Sequence, residues 1–318
     1  MEMPAVLKQK LDVLATGLKQ SDIKQSAQQL SFRYRNETKH GQTLIGGKND
    51  SVAYAVSRMP ATFGALSFVL EQAAFLPDLF PETMVDAGAG TGSAVWAASS
   101  FFDLTEITCL ERSPDMREIG KKLTESAQNF FSAPPVWRNF DLIRDNIPQA
   151  DLVTAGYVLN ELNEKDRLNA LLKLWNATQN VLVLVEPATP ENFVRVKEYR
   201  KTLIQNGACI AAPCPHQNDC LNGWCHFGCR VARSKRHRIA KGGQAPFEDE
   251  KFCYLIATRR KYNTAARVLR HPVIETGKVT LSLCTSEGIT AKTFSKKDGA
   301  AYKTARKAKW GDVFIPTA

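Results

Sequence analysis

Two groups of residues in this chain have the types and spacing to do chemistry. The first is Asp86-Ala87-Gly88-Ala89-Gly90-Thr91-Gly92, directly after the apolar pair Met84-Val85. Glycines in a turn of this kind let the backbone come close to a bound group, and a carboxylate ending the next strand can take both hydroxyls of a ribose. Glu111 ends the run Ile107-Thr108-Cys109-Leu110 and stands 25 residues past Asp86, in that position. The glycines are spaced GxGxG, whereas dinucleotide-binding turns show GxGxxG. An acid two residues before the first glycine would repel a pyrophosphate but offset the ammonium of S-adenosylmethionine. The turn therefore points to S-adenosylmethionine, against NAD or a turn that has lost its ligand. Asp141, closing the third strand, is expected at the adenine edge or as the cap of the next turn. Tyr157 follows the fourth strand in Gly156-Tyr157-Val158-Leu159-Asn160-Glu161-Leu162 and, with Asn160, would border a methyl acceptor. Cofactor contacts are thus expected at Asp86, Gly88, Gly90, Glu111, Asp141 and Tyr157. No catalytic residue is assigned, because neither an Asn-Pro-Pro-aromatic motif nor a cysteine nucleophile stands after the fourth strand.

The second group is Cys214-Pro215-His216 through Cys220 to Trp224-Cys225-His226-Phe227-Gly228-Cys229, four thiols and two imidazoles in sixteen residues. The successive cysteines lie six, five and four positions apart. Zinc sites pair ligands more tightly, while a cubane spreads them further, so the spacing favours an iron–sulfur cluster with zinc as the alternative. His216 and His226 are expected beside the ligands rather than among them. Cys109, Cys209 and Cys253 stand in apolar runs and suit small core residues.

Positioning these groups requires a regular scaffold. Helices are expected over 4–30 and 51–76 from apolar residues at helical spacing, with a loop from Gly41 to Asp50 between them. Strands are then expected at Thr83–Asp86, Glu106–Glu111, Val136–Phe140, Asp151–Ala155 and Val181–Glu186, with helices near 92–101, 114–130, 163–178 and 190–206. This alternation predicts an α/β fold with a doubly wound, Rossmann-like methyltransferase sheet behind an N-terminal helical cap. After Gly207 the pattern gives way to the cysteine cluster, a basic helix over Arg230–Lys241, and strands at Phe252–Thr258 and Lys278–Cys284. The expected domains are a helical region over 1–80, a cofactor-binding domain over 81–206 and a Cys-rich, basic extension over 207–318.

With 318 residues, 44% of them hydrophobic, the chain can bury a large core. Its charge of +10 is uneven: residues 1–229 hold 22 Lys and Arg against 25 Asp and Glu, and residues 230–318 hold 20 against 7. A polyanion, either nucleic acid or an anionic membrane surface, is therefore expected at the C-terminal third, with a solvated basic face as the alternative; phosphates would meet Arg230, Arg233, Lys235, Arg236, Arg238 and Lys241. No apolar stretch is long enough for a membrane span, and Glu2 and Lys8 stand where a secretion signal would be apolar. A cytoplasmic monomer without membrane contact is expected, or a mitochondrial one for a processed eukaryotic form. In a reducing compartment the eight cysteines point to metal ligation rather than disulfides.

These motifs together resemble the mitochondrial small-ribosomal-subunit methyltransferase-like proteins and their bacterial relatives. The likeness is carried by Tyr54…Arg58-Met59-Pro60-Ala61-Thr62, Tyr157 to Leu162, Val185-Glu186-Pro187, Cys214-Pro215-His216, Trp224-Cys225-His226-Phe227 and Trp310-Gly311-Asp312, from about residue 50 to the end. It implies a [4Fe-4S] cluster on Cys214, Cys220, Cys225 and a distant Cys284, with Cys229 a bystander. The stretch between Cys220 and Cys225 is short for the family, so Cys229 stands as the alternative fourth ligand. The resemblance also implies a role in small ribosomal subunit assembly, with ribosomal RNA as partner and as a candidate methyl acceptor. A non-catalytic RNA-binding factor, in which cofactor and metal are structural, is the alternative.

Overall fold

The computed structural model describes residues 2–36, 46–125, 127, 130–220, 224–263 and 265–315. The chain divides into two compact units, Met1–Glu186 with Cys229–Glu250, and Pro187–Gly228 with Lys251–Ala318. No described helix is long and apolar enough to cross a membrane.

The first unit opens with α1 (Ala5–Thr16), which buries Leu7, Leu11 and Ala15 on one face and stops at Gly17. A second helix, α2 (Gln20–Asn36), follows, so the single helix expected over 4–30 is two. The helix expected over 51–76 is likewise α3 (Lys48–Ser57) and α4 (Met59–Ala74). The break falls here because Pro60 lacks an N–H and fits only the first turn of a helix. Of the expected loop, residues 41–45 lie outside the described residues, and Lys48–Asp50 already belongs to α3.

Strand and helix then alternate: β1 (Thr83–Ala87), α5 (Ser93–Ala98), β2 (Glu106–Glu111), α6 (Pro114–Thr124), β3 (Val136–Asn139), β4 (Ala150–Gly156), α7 (Glu164–Ala177) and β5 (Thr178–Pro187). Side-chain caps start the helices, Ser113 accepting from the Met116 N–H and Asn163 from the Asp166 N–H. The helix α6 stops at Thr124, short of the expected 130, and Ser126, Gln128 and Asn129 lie outside the described residues. The strands pair in parallel in the order β3-β2-β1-β4-β5. The expected doubly wound α/β sheet is therefore present. Its strand order reverses between β1 and β4, and ligands of such sheets bind in the crevice beyond the carboxyl ends of the strands at that point.

The chain continues through α8 (Pro190–Gln205), β6 (Cys209–Ala212), β7 (Phe227–Ala232), α9 (Lys235–Lys241) and β8 (Phe247–Thr258). The expected basic helix begins at Lys235, not Arg230. Arg230 lies in β7, Ser234 caps α9 by accepting from the His237 N–H, and Gly242 ends it in the left-handed conformation at φ 63°.

In the second unit β6 runs antiparallel to the last part of β8, Cys209 opposite Thr258. Then follow β9 (Ala266–Val268), β10 (Val273–Glu275), β11 (Lys278–Thr285), β12 (Gly288–Ser295), α10 (Gly299–Lys307) and β13 (Val313–Phe314). The strand β11 is antiparallel to β10, β9 and β12. It sends Val279, Leu281 and Leu283 into a core with Val268, Phe294 and Tyr302. Side chains alternate across a strand, so Thr280, Ser282 and Cys284 lie on the opposite face.

Candidate functional site

In the first unit the glycine turn joins β1 to α5 at the switch point. Gly88 has φ 72°, and a Cβ there would come within 2.6 Å of Val158 Cγ2, so the residue is fixed as glycine by both conformation and space. The Gly88 N–H donates to the Leu110 carbonyl at 2.8 Å, tying the turn to the end of β2. Glu111 completes this tie, accepting from the Gly90 N–H through Oε2 at 2.9 Å and from the Ser113 N–H through Oε1 at 2.7 Å. Asp86 is 2% exposed and accepts from the Thr154 hydroxyl at 2.7 Å. Burial pushes its carboxyl up to about 7; the Thr154 bond opposes the rise and Glu111 adds to it.

At the end of β4, Tyr157 has φ 61° and donates its N–H to the Val185 carbonyl at 2.7 Å. Its hydroxyl donates to Glu250 Oε1 at 3.2 Å, and the Arg58 guanidinium lies 3.5 Å from the same oxygen. Burial, then the neighbouring Glu111, pushes Glu161 up to about 8. Burial also pushes Tyr54 up to about 12. The side-chain oxygen of Asn160 is buried without a hydrogen-bond partner. Asp141 closes its own turn, accepting from the Ile143 N–H at 2.9 Å. The structure thus brings Asp86, Gly88, Gly90 and Glu111 together, places Tyr157 next to Val158, which packs on Gly88, and engages Asp141 in its own turn. Glu161, Glu250 and the Tyr54/Arg58 pair were not picked out for this site from sequence, although Glu161, Tyr54 and Arg58 are motif residues.

In the second unit Cys214, Cys220, Cys225 and Cys284 line one cavity of about 520 Å³, together with Cys253 and His216. Cys214 follows β6 across a cis Ala212–Pro213 bond, and Cys284 reaches the cavity from the face of β11 opposite the core. Cys284 Sγ lies 3.8 Å from His216 Nε2. The Cys253 thiol donates to the Cys225 carbonyl at 3.2 Å. Burial and then the neighbouring sulfurs raise Cys225 well above the ordinary thiol value and Cys284 to about 12. Burial raises Cys214 too, while the Arg200 guanidinium works against it. Among the described residues, no three His, Cys, Asp or Glu side chains are grouped to hold a single metal ion. Cys229 belongs to the first unit, where a Cβ on Gly64 would lie 3.2 Å from its sulfur. Cys253 was read from sequence as core; it is 2% exposed, and the apolar run of β8 hides that it also faces the cavity.

Aromatic residues from distant motifs close around the same loop. Trp224 stacks on His226 with ring centroids 4.1 Å apart, and Trp310 meets His226 edge-on at 5.2 Å. The Gly311 N–H donates to the Val268 carbonyl at 2.9 Å, docking the Trp310-Gly311-Asp312 tail on β9.

The cations of β7 and α9 largely face acids of their own chain. Arg230 makes two bonds to Asp249, at 2.8 and 2.9 Å, while Arg233 and Lys241 each reach Glu248 Oε2 at 2.6 Å. Arg236 lies 3.6 Å from Asp12. Burial raises the Glu248 carboxyl, but bonds from His237, Lys241 and Arg233 outweigh it and hold the group well below the ordinary carboxylate value. Four of the six side chains expected to meet phosphates are therefore already paired. By contrast Lys296, Lys297, Lys303, Lys307 and Lys309 are exposed and make no ion pair among the described residues.

Comparison with known proteins extends these observations. The chain is similar to the human ribosome assembly protein METTL17, mitochondrial, with 29% identity over 335 residues, covering 95% of this chain and 72% of the human protein. It is also similar to the Rsm22-cox11 tandem protein 2, mitochondrial, of Schizosaccharomyces pombe, 24% identical over 83% of this chain, which spans 43% of that protein's length. Among solved structures it is similar to the magnesium protoporphyrin IX methyltransferase of Synechocystis, with TM-score 0.42 and 14% identity over 76% of this chain and 98% of that one. The model of the family described as mitochondrial small ribosomal subunit Rsm22 matches residues 48–315, and the chain belongs to that family.

Proposed function

We propose that this chain is a small-subunit ribosome-assembly factor that binds S-adenosylmethionine at the glycine turn and holds a four-iron cluster on Cys214, Cys220, Cys225 and Cys284. The observation that carries this proposal is the meeting of four thiols, from positions as far apart as 214 and 284, at one cavity. The residues fit a cluster. All four donors are soft thiols, and Arg200 Nε and His216 Nδ1 are buried beside them without hydrogen-bond partners. The six- and five-residue steps from Cys214 to Cys220 and Cys225 suit a cubane better than zinc. Bound there, a cluster would supply metal–thiolate bonds that fasten the cysteine loop to β11.

At the turn, Asp86 would offset the ammonium of S-adenosylmethionine. Glu111 would take the ribose hydroxyls through lone pairs left over from its two backbone bonds. The cofactor supplies an electrophilic methyl group when bound. Asn160 and Tyr157 would border the acceptor, for which ribosomal RNA is proposed. The RNA would meet the exposed lysines of α10 and its flanks, since most cations of β7 and α9 are already neutralised. We propose a monomer located as sequence suggests, in the cytoplasm or, in a processed eukaryotic form, in the mitochondrion named for its relatives. A non-catalytic role is favoured by one observation, the capture of the Tyr157 hydroxyl by Glu250 beside Arg58.

The test uses anaerobically purified full-length protein, labelled S-adenosylmethionine and immature small-subunit RNA. Label in the RNA supports methyl transfer. Salt-sensitive RNA binding without label supports the non-catalytic role. Failure to bind either RNA or cofactor overturns the proposal, and stoichiometric zinc in a colourless protein overturns its iron component.

A further inference from the structure

Cys214 is bracketed by two buried guanidiniums. On one side Arg267, 2% exposed on β9, donates from Nε to the Pro213 carbonyl at 3.2 Å and from Nη1 to the Gly311 carbonyl at 2.8 Å. On the other, Arg200, 5% exposed on α8, donates from Nη2 to the His216 carbonyl at 2.7 Å. Both cations thus hold the backbone immediately flanking one thiol. Arg200 also lines the cavity.

The environment of Arg200 is unusual for a buried charge. No carboxylate lies within ion-pair distance of it among the described residues, and its Nε is buried without a hydrogen-bond partner. A guanidinium removed from water without an anion is costly, so buried arginines are ordinarily paired. The groups in contact with Arg200 are the His216 carbonyl and the Cys214 thiol, neither of which carries charge while the thiol is protonated. The exposed Asp219 and Glu287, which line the same cavity, lie beyond ion-pair distance. An anion in the cavity would remove this cost. A cubane on four thiolates is a net anion and becomes more negative when it takes up an electron.

We propose that Arg200 and Arg267 are the counter-charges of the thiolate centre, holding the Cys214 loop and favouring the electron-rich state of the cluster. This rests on the cavity being a four-iron site. Two fixed cations in a low-dielectric surround stabilise the reduced core more than the oxidised one, because the attraction grows with the charge they face. They are positioning residues that act through the cluster and the backbone of Cys214, not ligands.

The experiment reconstitutes full-length protein anaerobically with ferrous iron and sulfide and titrates the cluster by absorbance and electron paramagnetic resonance. Wild type is compared with R200Q and R200K, and melting temperature is recorded for each. In R200Q, the reduced-to-oxidised ratio at the wild-type midpoint should fall about tenfold, equivalent to about 59 mV for one electron. R200K, which keeps the charge but not the planar fork, should recover most of that shift. Loss of iron in R200Q with retention in R200K also supports the inference, because charge would then be needed for assembly. An unchanged midpoint in a fully loaded R200Q overturns it while leaving the metal site standing. If both variants fail to load and melt early, Arg200 only supports the fold, and R267Q decides for its partner: an unchanged midpoint there ends the proposal. Wild type that takes up neither iron nor sulfide overturns the metal site itself, and this inference with it.

Discussion

The glycine turn of the first unit and the thiol cavity of the second differ in how far their own residues satisfy one another. Around the turn, Glu111 holds two backbone N–H groups, Asp86 accepts from Thr154, and Tyr157 is bonded to Glu250. These bonds are made within a single sheet and its loops, so the turn's shape is held by its own residues. Around the cavity, half-buried thiols line one space, and the buried Arg200 guanidinium has no carboxylate within ion-pair distance among the described residues. Asp219 and Glu287 also line this cavity without pairing with Arg200 among the described residues, so a thiolate-bound cluster would add both a paired anion and a cross-link. The difference sets a turn satisfied by its own bonds against a thiol cavity whose buried guanidinium is left for the proposed cluster to pair.

The comparison breaks most visibly at the ligands. Cys284→Ser should lower the affinity for the cluster iron more than about 100-fold, beyond the effect of losing a group that merely orients a ligand, so that the purified variant loses its iron. Cys229→Ser should leave iron unchanged, since that sulfur packs against Gly64. The reverse result, read by elemental analysis, would reassign the fourth ligand. In either variant cofactor binding should persist, because the two sites lie in different units.

A smaller effect is expected at the turn. Gly88→Val should cost on the order of 2–4 kcal/mol, from a left-handed backbone and overlap with Val158 together. Chemical denaturation should register that cost and calorimetry the loss of cofactor binding, with iron content intact. Normal cofactor affinity in this variant would mean that the ligand does not sit on the turn.

Removing charge from the exposed tail should act on RNA alone. Replacing Lys296, Lys297, Lys303 and Lys307 by Gln should flatten the salt dependence of RNA binding by roughly 0.9 in slope for each duplex phosphate that is no longer neutralised. Arg230→Gln should change it little, because Asp249 already holds that guanidinium. An equal effect from both would return the interface to β7.

The smallest effect is a pH dependence. Burial raises Asp86 to about 7, so its carboxyl is largely ionised at pH 8 and largely protonated at pH 6. Only the ionised form offsets the cofactor's ammonium, so affinity should fall about tenfold from pH 8 to pH 6. In Asp86→Asn the profile should be flat over that range. A wild-type affinity independent of pH would show that Asp86 does not face the ammonium.

Local order in the chain was enough to establish the alternation of strands and helices, the glycine turn with Glu111 and the crowd of cysteines from Cys214 to Cys225. Each of these depends on neighbours within a turn, a strand or a short loop, where spacing and side-chain type act directly. Helix breaks at Gly17 and Pro60 were legible in principle but were overridden by apolar periodicity running through them. Tertiary structure alone decided that Cys253, Arg200 and Arg267 join the thiols. It also set Arg230 and Arg233 against Asp249 and Glu248. No spacing rule connects these pairs, because strand pairing and the packing of helix on sheet bring together residues whose separation along the chain carries no information about their distance in space.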